Sequence, residues 1–199
     1  GFKGDAALKP LRIKTYKAQH GKHVNFAWQG GEPAMMGLPF FQRAIELCEK
    51  YSAGKTITHS LQTNGVLLNE AWAKFFARHG FLIGLSIDGP AHLHNQYRVN
   101  RAGKGTHKQV MAAMALLKSC KVEFNTLTVV GKHNVGHARE VYEFLRAAGS
   151  RYIQFIPLVE RLSTEASSVL KLVMPGESAA QLAPWTVPSW QYGDFLCQI

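Results

Sequence analysis

The stretch that decides the fold is residues 56–90, TITHSLQTNGVLLNEAWAKFFARHGFLIGLSIDGP. A run rich in β-branched residues at 56–63 precedes an amphipathic run at 69–80 and then an apolar run at 81–88. β-Branched runs favour strands, and apolar residues three or four positions apart favour a helix. The order strand, helix, strand therefore predicts a right-handed βαβ unit with parallel strands.

The same unit repeats on both sides of this stretch. Further strands are predicted over 23–28, 122–131 and 151–159, and further helices over 38–51, 106–120 and 137–149. Five strands of nearly continuous apolar character are typical of a buried parallel sheet. The pattern by itself leaves open whether this sheet is doubly wound or rolled into a barrel.

Composition bounds the class of protein. With 199 residues, 46% of them apolar, the chain suits one folded domain or most of one. No apolar run approaches the roughly 20 residues of a membrane span, and no secretory leader is visible, so we expect a cytoplasmic protein without a membrane partner. The net charge is 23 − 13 = +10, but the basic residues are dispersed, which favours a solvated basic surface over specific nucleic-acid binding.

The three cysteines, Cys48, Cys120 and Cys197, are far apart in the sequence. No pair has the close spacing of a zinc site, an iron–sulfur site or a thiol redox motif. Since Cys48 and Cys120 fall within helical patterns, buried free thiols are the favoured interpretation for them.

Polar residues and glycines follow every predicted strand, and ligands of parallel βα proteins bind at the C-terminal strand ends. These residues are Gln29–Pro33, Thr63–Gly65, Asp88–Pro90 with His92, His94, Tyr97 and Arg98, then Gly131–Asn134 and Pro157–Glu160. Each group alone is more typical of a turn, and two histidines separated by one residue are a weak metal pair.

Taken together, the strand-end residues predict a small ligand with two charged ends. The bare backbone of Gly30 and Gly31 offers N–H and C=O groups at close range, and the Glu32 carboxylate suits an ammonium group. Ser86 and Arg98 suit a carboxylate, which arginine grips by a two-pronged contact. A ligand of amino-acid type has both ends.

Six strings in this order resemble the anaerobic sulfatase-maturating enzymes, which are radical S-adenosylmethionine (SAM) proteins. They are NFAWQGGEP (25–33), SLQTNG (60–65), GLSIDGP (84–90), GKGT (103–106), VEFNTLTVV (122–130) and YIQFIPLVER (152–161). The resemblance implies a partial TIM-type (β/α)6 radical SAM barrel with parallel strands. Its core would be residues 23–161, between a poorly matching segment at 1–22 and a loop-rich segment at 162–199 that begins a truncated C-terminal region.

The same resemblance implies SAM bound at the strand ends beside a 4Fe–4S cluster that reduces it to a 5′-deoxyadenosyl radical. The reaction would oxidise a Cys or Ser of a sulfatase polypeptide to formylglycine, with a separate electron donor. Matched motif by motif, Gly30–Glu32 would meet the methionine amino group, and Ser86 and Arg98 its carboxylate. Leu158 would line the adenosine through its backbone, and Gln29 would lie beside the radical and substrate. No residue is assigned as catalytic or as a metal ligand.

Departures from the family pattern concern the cluster. The family's C-x-x-x-C-x-x-C motif precedes the first strand, whereas this chain has no cysteine before Cys48. The family's auxiliary-cluster cysteines and aspartate base would lie beyond Ile199. We therefore expect a fragment that is inactive alone. The alternatives are a non-catalytic remnant of a truncated gene and, less favoured, a basic nucleic-acid-binding protein.

Overall fold

A computed structural model of the chain describes residues 21–163 and 180–199. The predictions made for residues 1–20 and 164–179 lie outside the described residues. None of the helices in the described ranges is long and apolar enough to cross a membrane.

Five parallel strands form one sheet in the order β1-β2-β3-β4-β5. They are β1 (His23–Trp28), β2 (Thr56–Thr63), β3 (Phe81–Ser86), β4 (Phe124–Val130) and β5 (Ile153–Pro157). The sheet curls into a half-barrel, which confirms the predicted partial barrel. All five predicted strands are present, with β3, β4 and β5 somewhat shorter than predicted.

Helices follow the strands. They are α1 (Leu38–Lys50), α2 (Glu70–Arg78), α3 (Ala91–His94), α4 (His107–Ser119), α5 (Ala138–Ala148) and α6 (Ser189–Cys197), with 3-10 turns at Pro33–Met36 and Val135–His137. The four helices predicted between strands are confirmed, while the single-turn α3 is too short for periodicity to reveal. The described part of the region predicted as loop-rich contains α6 and an antiparallel pair, β6 (Arg161–Ser163) with β7 (Ala180–Leu182).

One face of the sheet packs against the helices and holds the main core. Its buried members come from successive elements: Phe41, Trp72, Phe76, Ile83, Leu85, Leu117 and Leu145. Removing such side chains from water is worth about 1.5–3 kcal/mol each, so this face dominates stability. The opposite face is polar at β1 and β2, where Asn25 contacts Thr58 and Ser60 at 3.0 and 3.3 Å.

A second, smaller apolar cluster lies at the C-terminal ends of β4 and β5. It joins Val130, Val135 and Ala138 to Val187 and Phe195. The Phe195 ring of α6 meets Phe155 of β5 edge-on at 5.0 Å between centroids. Residues 187–195 therefore cover this end of the sheet.

Candidate functional site

An open cleft of about 560 Å³ lies at the C-terminal ends of β1, β2 and β3. Its lining residues are Gln29, Gly30, Gly31, Glu32, Gln62, Thr63, Asn64, Ser86 and Arg98. Every predicted site residue except Leu158 lines this cleft. Sequence reasoning assigned no role to Gln62 and Asn64, although their position at the end of β2 was the signal that could have found them.

A larger groove of about 1050 Å³ lies beside the N-terminal ends of β4 and β5. Its charged lining includes Lys118, Lys121, Arg146 and Arg151. The fold favours the smaller cleft as the ligand site, because ligands of parallel βα folds bind at the C-terminal strand ends and this groove lies at the opposite ends.

Two glycines present their backbone to the cleft. Gly30 and Gly31 have φ angles of 95° and 60°, a left-handed conformation that glycine adopts without steric cost. A Cβ atom added to either residue would meet no atom within 4 Å. The space beside this loop is therefore open to a ligand rather than filled by the protein.

Glu32 fixes the glycine loop to the end of β2. Its Oε1 accepts hydrogen bonds from the Ala34 N–H at 3.0 Å and the Thr63 hydroxyl at 2.7 Å. Its Oε2 accepts from the Asn64 N–H at 2.7 Å. A carboxylate has about four acceptor positions, so these three contacts leave one for a ligand cation.

Arg98 is held in place by Asp88. The guanidinium donates from Nε to Oδ2 at 2.5 Å and from Nη2 to Oδ1 at 3.0 Å, a two-pronged contact. Oδ1 of this buried carboxylate also accepts from the Val129 N–H in β4 at 2.9 Å. Among the described residues Nη1 has no partner, nor does the hydroxyl of Ser86, so both remain available to a ligand carboxylate.

A buried histidine fixes the backbone that carries Arg98. His94 Nδ1 accepts from the Asp88 N–H at 3.2 Å, so Nε2 carries the proton and donates to the Thr106 hydroxyl at 3.1 Å. That hydroxyl in turn donates to the Arg98 carbonyl at 2.9 Å. Burial lowers the pKa of His94 to about 4, so the ring is neutral at pH 7. Thr106 holds the N-cap position of α4, but its hydroxyl makes these contacts instead of a capping bond.

Leu158 lies apart from the cleft, just after β5. Its N–H donates to the Val130 carbonyl at 2.8 Å, and its carbonyl accepts from the Val187 N–H at 3.0 Å. Both backbone groups are thus engaged within the protein, and a contact between Leu158 and a ligand stays a prediction.

His133 lies beyond β4 and packs against Tyr97, with ring centroids 4.5 Å apart and the rings tilted by 58°. Its Nε2 is buried and has no hydrogen-bond partner in the described residues. Burial lowers the pKa of His133, with opposing smaller effects from Asp88 and Arg98. His133 does not line the cleft, so this unsatisfied buried nitrogen is not assigned to the ligand site.

Comparison with known families adds to this geometry. The radical SAM superfamily matches residues 11–145, a range that contains the whole cleft. The chain belongs to the radical SAM superfamily.

Individual radical SAM relatives are more specific. The serine-type anaerobic sulfatase-maturating enzyme of Bacteroides thetaiotaomicron is 41% identical over 98% of this chain and 47% of its own length. The cysteine-type enzyme of Clostridium perfringens is 39% identical over 83% of this chain and 45% of its own. The chain thus spans about half the length of the curated relatives it matches.

A solved radical SAM structure, native anSMEcpe with bound AdoMet (SAM), agrees with the fold. It superimposes with a TM-score of 0.85 and 34% identity over 100% of this chain and 50% of its own. This supports the assignment of the half-barrel and of SAM as the family's cofactor.

Radical SAM proteins also use a 4Fe–4S cluster, and the cysteines of this chain do not fit one. Cys48 is buried in α1, Cys120 is half-buried at the end of α4, and Cys197 is exposed in α6. In the described parts of the chain they form no group able to hold a metal ion, whereas a cluster with an iron open to SAM needs three thiolates together.

Proposed function

We propose that this chain carries the SAM-binding half-barrel of an anaerobic sulfatase-maturating enzyme, a radical SAM oxidoreductase. The proposal rests on one observation: an open glycine backbone, a carboxylate and an arginine surround a single cleft at the strand ends. The names of the relatives add the substrate class, since serine-type and cysteine-type maturases match with 41% and 39% identity.

Opposite ends of the cleft suit opposite ends of SAM. The carbonyl groups of Gly30 and Gly31 and the remaining acceptor position of Glu32 would hold the amino group. The Nη1 group of Arg98 and the Ser86 hydroxyl would hold the carboxylate. Because Asp88 already orients Arg98, binding costs little side-chain entropy.

The remainder of SAM would extend toward the other strands. Leu158 would line the adenosine, and Gln29, which follows β1, would lie beside the substrate side chain. When it is bound and reduced, SAM supplies the group that removes hydrogen from the substrate. The chain's own residues hold and orient it.

The substrate would be a Cys or Ser of a sulfatase polypeptide, oxidised to formylglycine. For serine, SAM would be the net two-electron oxidant: the side-chain carbon would lose one hydrogen atom to the group that SAM supplies, then a proton and an electron would leave, and the carbon would become an aldehyde. A separate electron donor completes the proposed partners, and the cytoplasm is the proposed location.

SAM binding by the 199-residue chain tests the site directly. In titration calorimetry, Arg98→Ala should weaken SAM binding by roughly tenfold to a hundredfold, because a charge-assisted contact of about 1.5–3 kcal/mol is lost. Arg101→Ala, an exposed arginine three residues on, is the matched control and should bind as the wild type does. Equal affinity of Arg98→Ala and wild type, with folding checked by circular dichroism, would remove Arg98 from the site.

A chimera tests the activity. The part of the Bacteroides enzyme that matches this chain is replaced by this chain, and the product is assayed anaerobically with serine and cysteine sulfatase peptides. Formylglycine detected by mass spectrometry, and abolished by Arg98→Ala, is the expected result. A chimera that binds SAM and holds its cluster but oxidises neither peptide would contradict a sulfatase substrate.

A further inference from the structure

Two histidines and a glutamate from separate elements meet on the surface beside α3 and α5. His92 lies in α3, His137 directly precedes α5, and Glu140 lies in the first turn of α5. One ligand atom from each lies within 4.8 Å of the other two. His92 Nε2 is 3.3 Å from Glu140 Oε1, and His137 Nδ1 is 2.9 Å from Glu140 Oε2.

Small side-chain movements would bring these atoms to the separations found around a tetrahedral metal ion. Zn²⁺ binds imidazole nitrogen and carboxylate oxygen at about 2.0–2.2 Å, which places neighbouring ligand atoms of a tetrahedral site about 3.3–3.6 Å apart. Two imidazoles and one carboxylate are a donor set that suits Zn²⁺ and related divalent transition metals. We propose that His92, His137 and Glu140 bind a Zn²⁺-class cation.

The backbone that carries the three side chains is firmly packed. Leu93, next to His92, is 1% exposed, and Ala138, next to His137, is also 1% exposed. Val141, next to Glu140, is fully buried. Binding therefore requires only side-chain adjustment, and the exposed side chains leave the fourth coordination position open to water.

The ordinary alternative is a hydrogen-bonded surface cluster without a metal. Exposed ion pairs of this kind are worth only about 0–1 kcal/mol and need no function. The two possibilities differ in what the side chains bind. None of the three residues lines the cleft at β1–β3, so the metal site stands independently of the proposed maturase function.

Zinc titration distinguishes them. The full chain is freed of metal by a chelator and titrated with ZnCl₂ against a chromophoric competitor under reducing conditions. The expected result is one equivalent bound, with the affinity reduced about tenfold or more in His92→Ala, His137→Ala and Glu140→Gln. His23→Ala, another exposed histidine, and Glu143→Gln, another exposed glutamate of α5, should leave the affinity unchanged.

Two outcomes would overturn the proposal. One is the absence of stoichiometric zinc binding by the wild type. The other is zinc affinity in His92→Ala and His137→Ala that equals the affinity of the wild type. X-ray absorption of the bound zinc gives an independent readout, with a first shell of nitrogen and oxygen expected. Sulfur in that shell would assign the metal to a cysteine instead. Zinc should also raise the melting temperature of the wild type but not of His92→Ala.

Discussion

The C-terminal ends of β1–β3 and those of β4–β5 occupy equivalent places in one sheet, yet one end is open and the other closed. At β1–β3 the polar groups point into a cleft, and some of their hydrogen-bonding capacity is unused. At β4–β5 the backbone of Leu158 and the side chains of Asn134 and Thr186 are paired within the protein beside an apolar cluster, and His133 Nε2 is the exception. Position at a strand end is therefore necessary for a site but does not make one.

The closed end is built around Asn134 and the segment before α6. The Asn134 side chain accepts from the Gly131 N–H and donates to the Val129 carbonyl, both at 2.9 Å. Thr186 bonds the backbone of Glu160 in both directions, at 3.0 Å each. These polar residues stabilise turns, whereas Arg98 and Glu32 are stabilised so as to remain available to a ligand.

The largest expected effect is on the closed end. Phe195→Ala should lower the free energy of unfolding by about 3–5 kcal/mol, because a fully buried ring leaves a cavity. Denaturant titration measures this, with the neighbouring, exposed Leu196→Ala as the control. SAM affinity of the folded fraction should not change, and a parallel loss of affinity would show that the two ends are coupled.

A smaller effect is expected from Glu32→Gln. The amide's NH₂ group must face one of the three donors that contact Glu32, which should cost about 1–3 kcal/mol of stability. Loosening of the glycine loop should also weaken SAM binding in calorimetry. Glu49→Gln, an exposed glutamate of α1, controls for the lost charge. Wild-type stability and affinity in Glu32→Gln would contradict a positioning role for the carboxylate.

Ser86→Ala should have the smallest effect. Loss of one hydroxyl contact to the ligand carboxylate is worth about 0.5–1.5 kcal/mol, or roughly a two- to tenfold weaker SAM affinity. Stability should hardly change, because the described structure gives this hydroxyl no protein partner. An unfolding free energy that drops while SAM affinity stays constant would make Ser86 a structural residue of the open end.

Periodicity was sufficient for the sheet and the four helices between its strands, because buried runs and amphipathic spacing are local signals. It missed α3 and the β6–β7 pair, since elements of three or four residues have no measurable period. The pattern of strands alone did not distinguish a doubly wound sheet from a barrel. The resemblance to the maturases is what predicted the barrel.

At the site, motifs in the sequence identified candidate residues but did not predict their hydrogen-bond partners. The bonds from Glu32 to Thr63 and Asn64, and that from Asp88 to Val129, join positions 31 to 41 residues apart. From the sequence, His92 was weighed with His94 as a weak metal-binding pair. In the structure His94 is buried, and His92 lies beside His137 and Glu140. Such pairings depend on the curl of the sheet and not on spacing along the chain.

Asp88 has a further consequence through its bond to the Val129 N–H. That bond ties the orientation of Arg98 to the pairing of β3 with β4, so separation of these strands would also release the guanidinium. A ligand held by Arg98 should therefore slow amide hydrogen exchange along β4, although it contacts only neighbouring strand ends. Local unfolding of the sheet and loss of the ligand would then be one event.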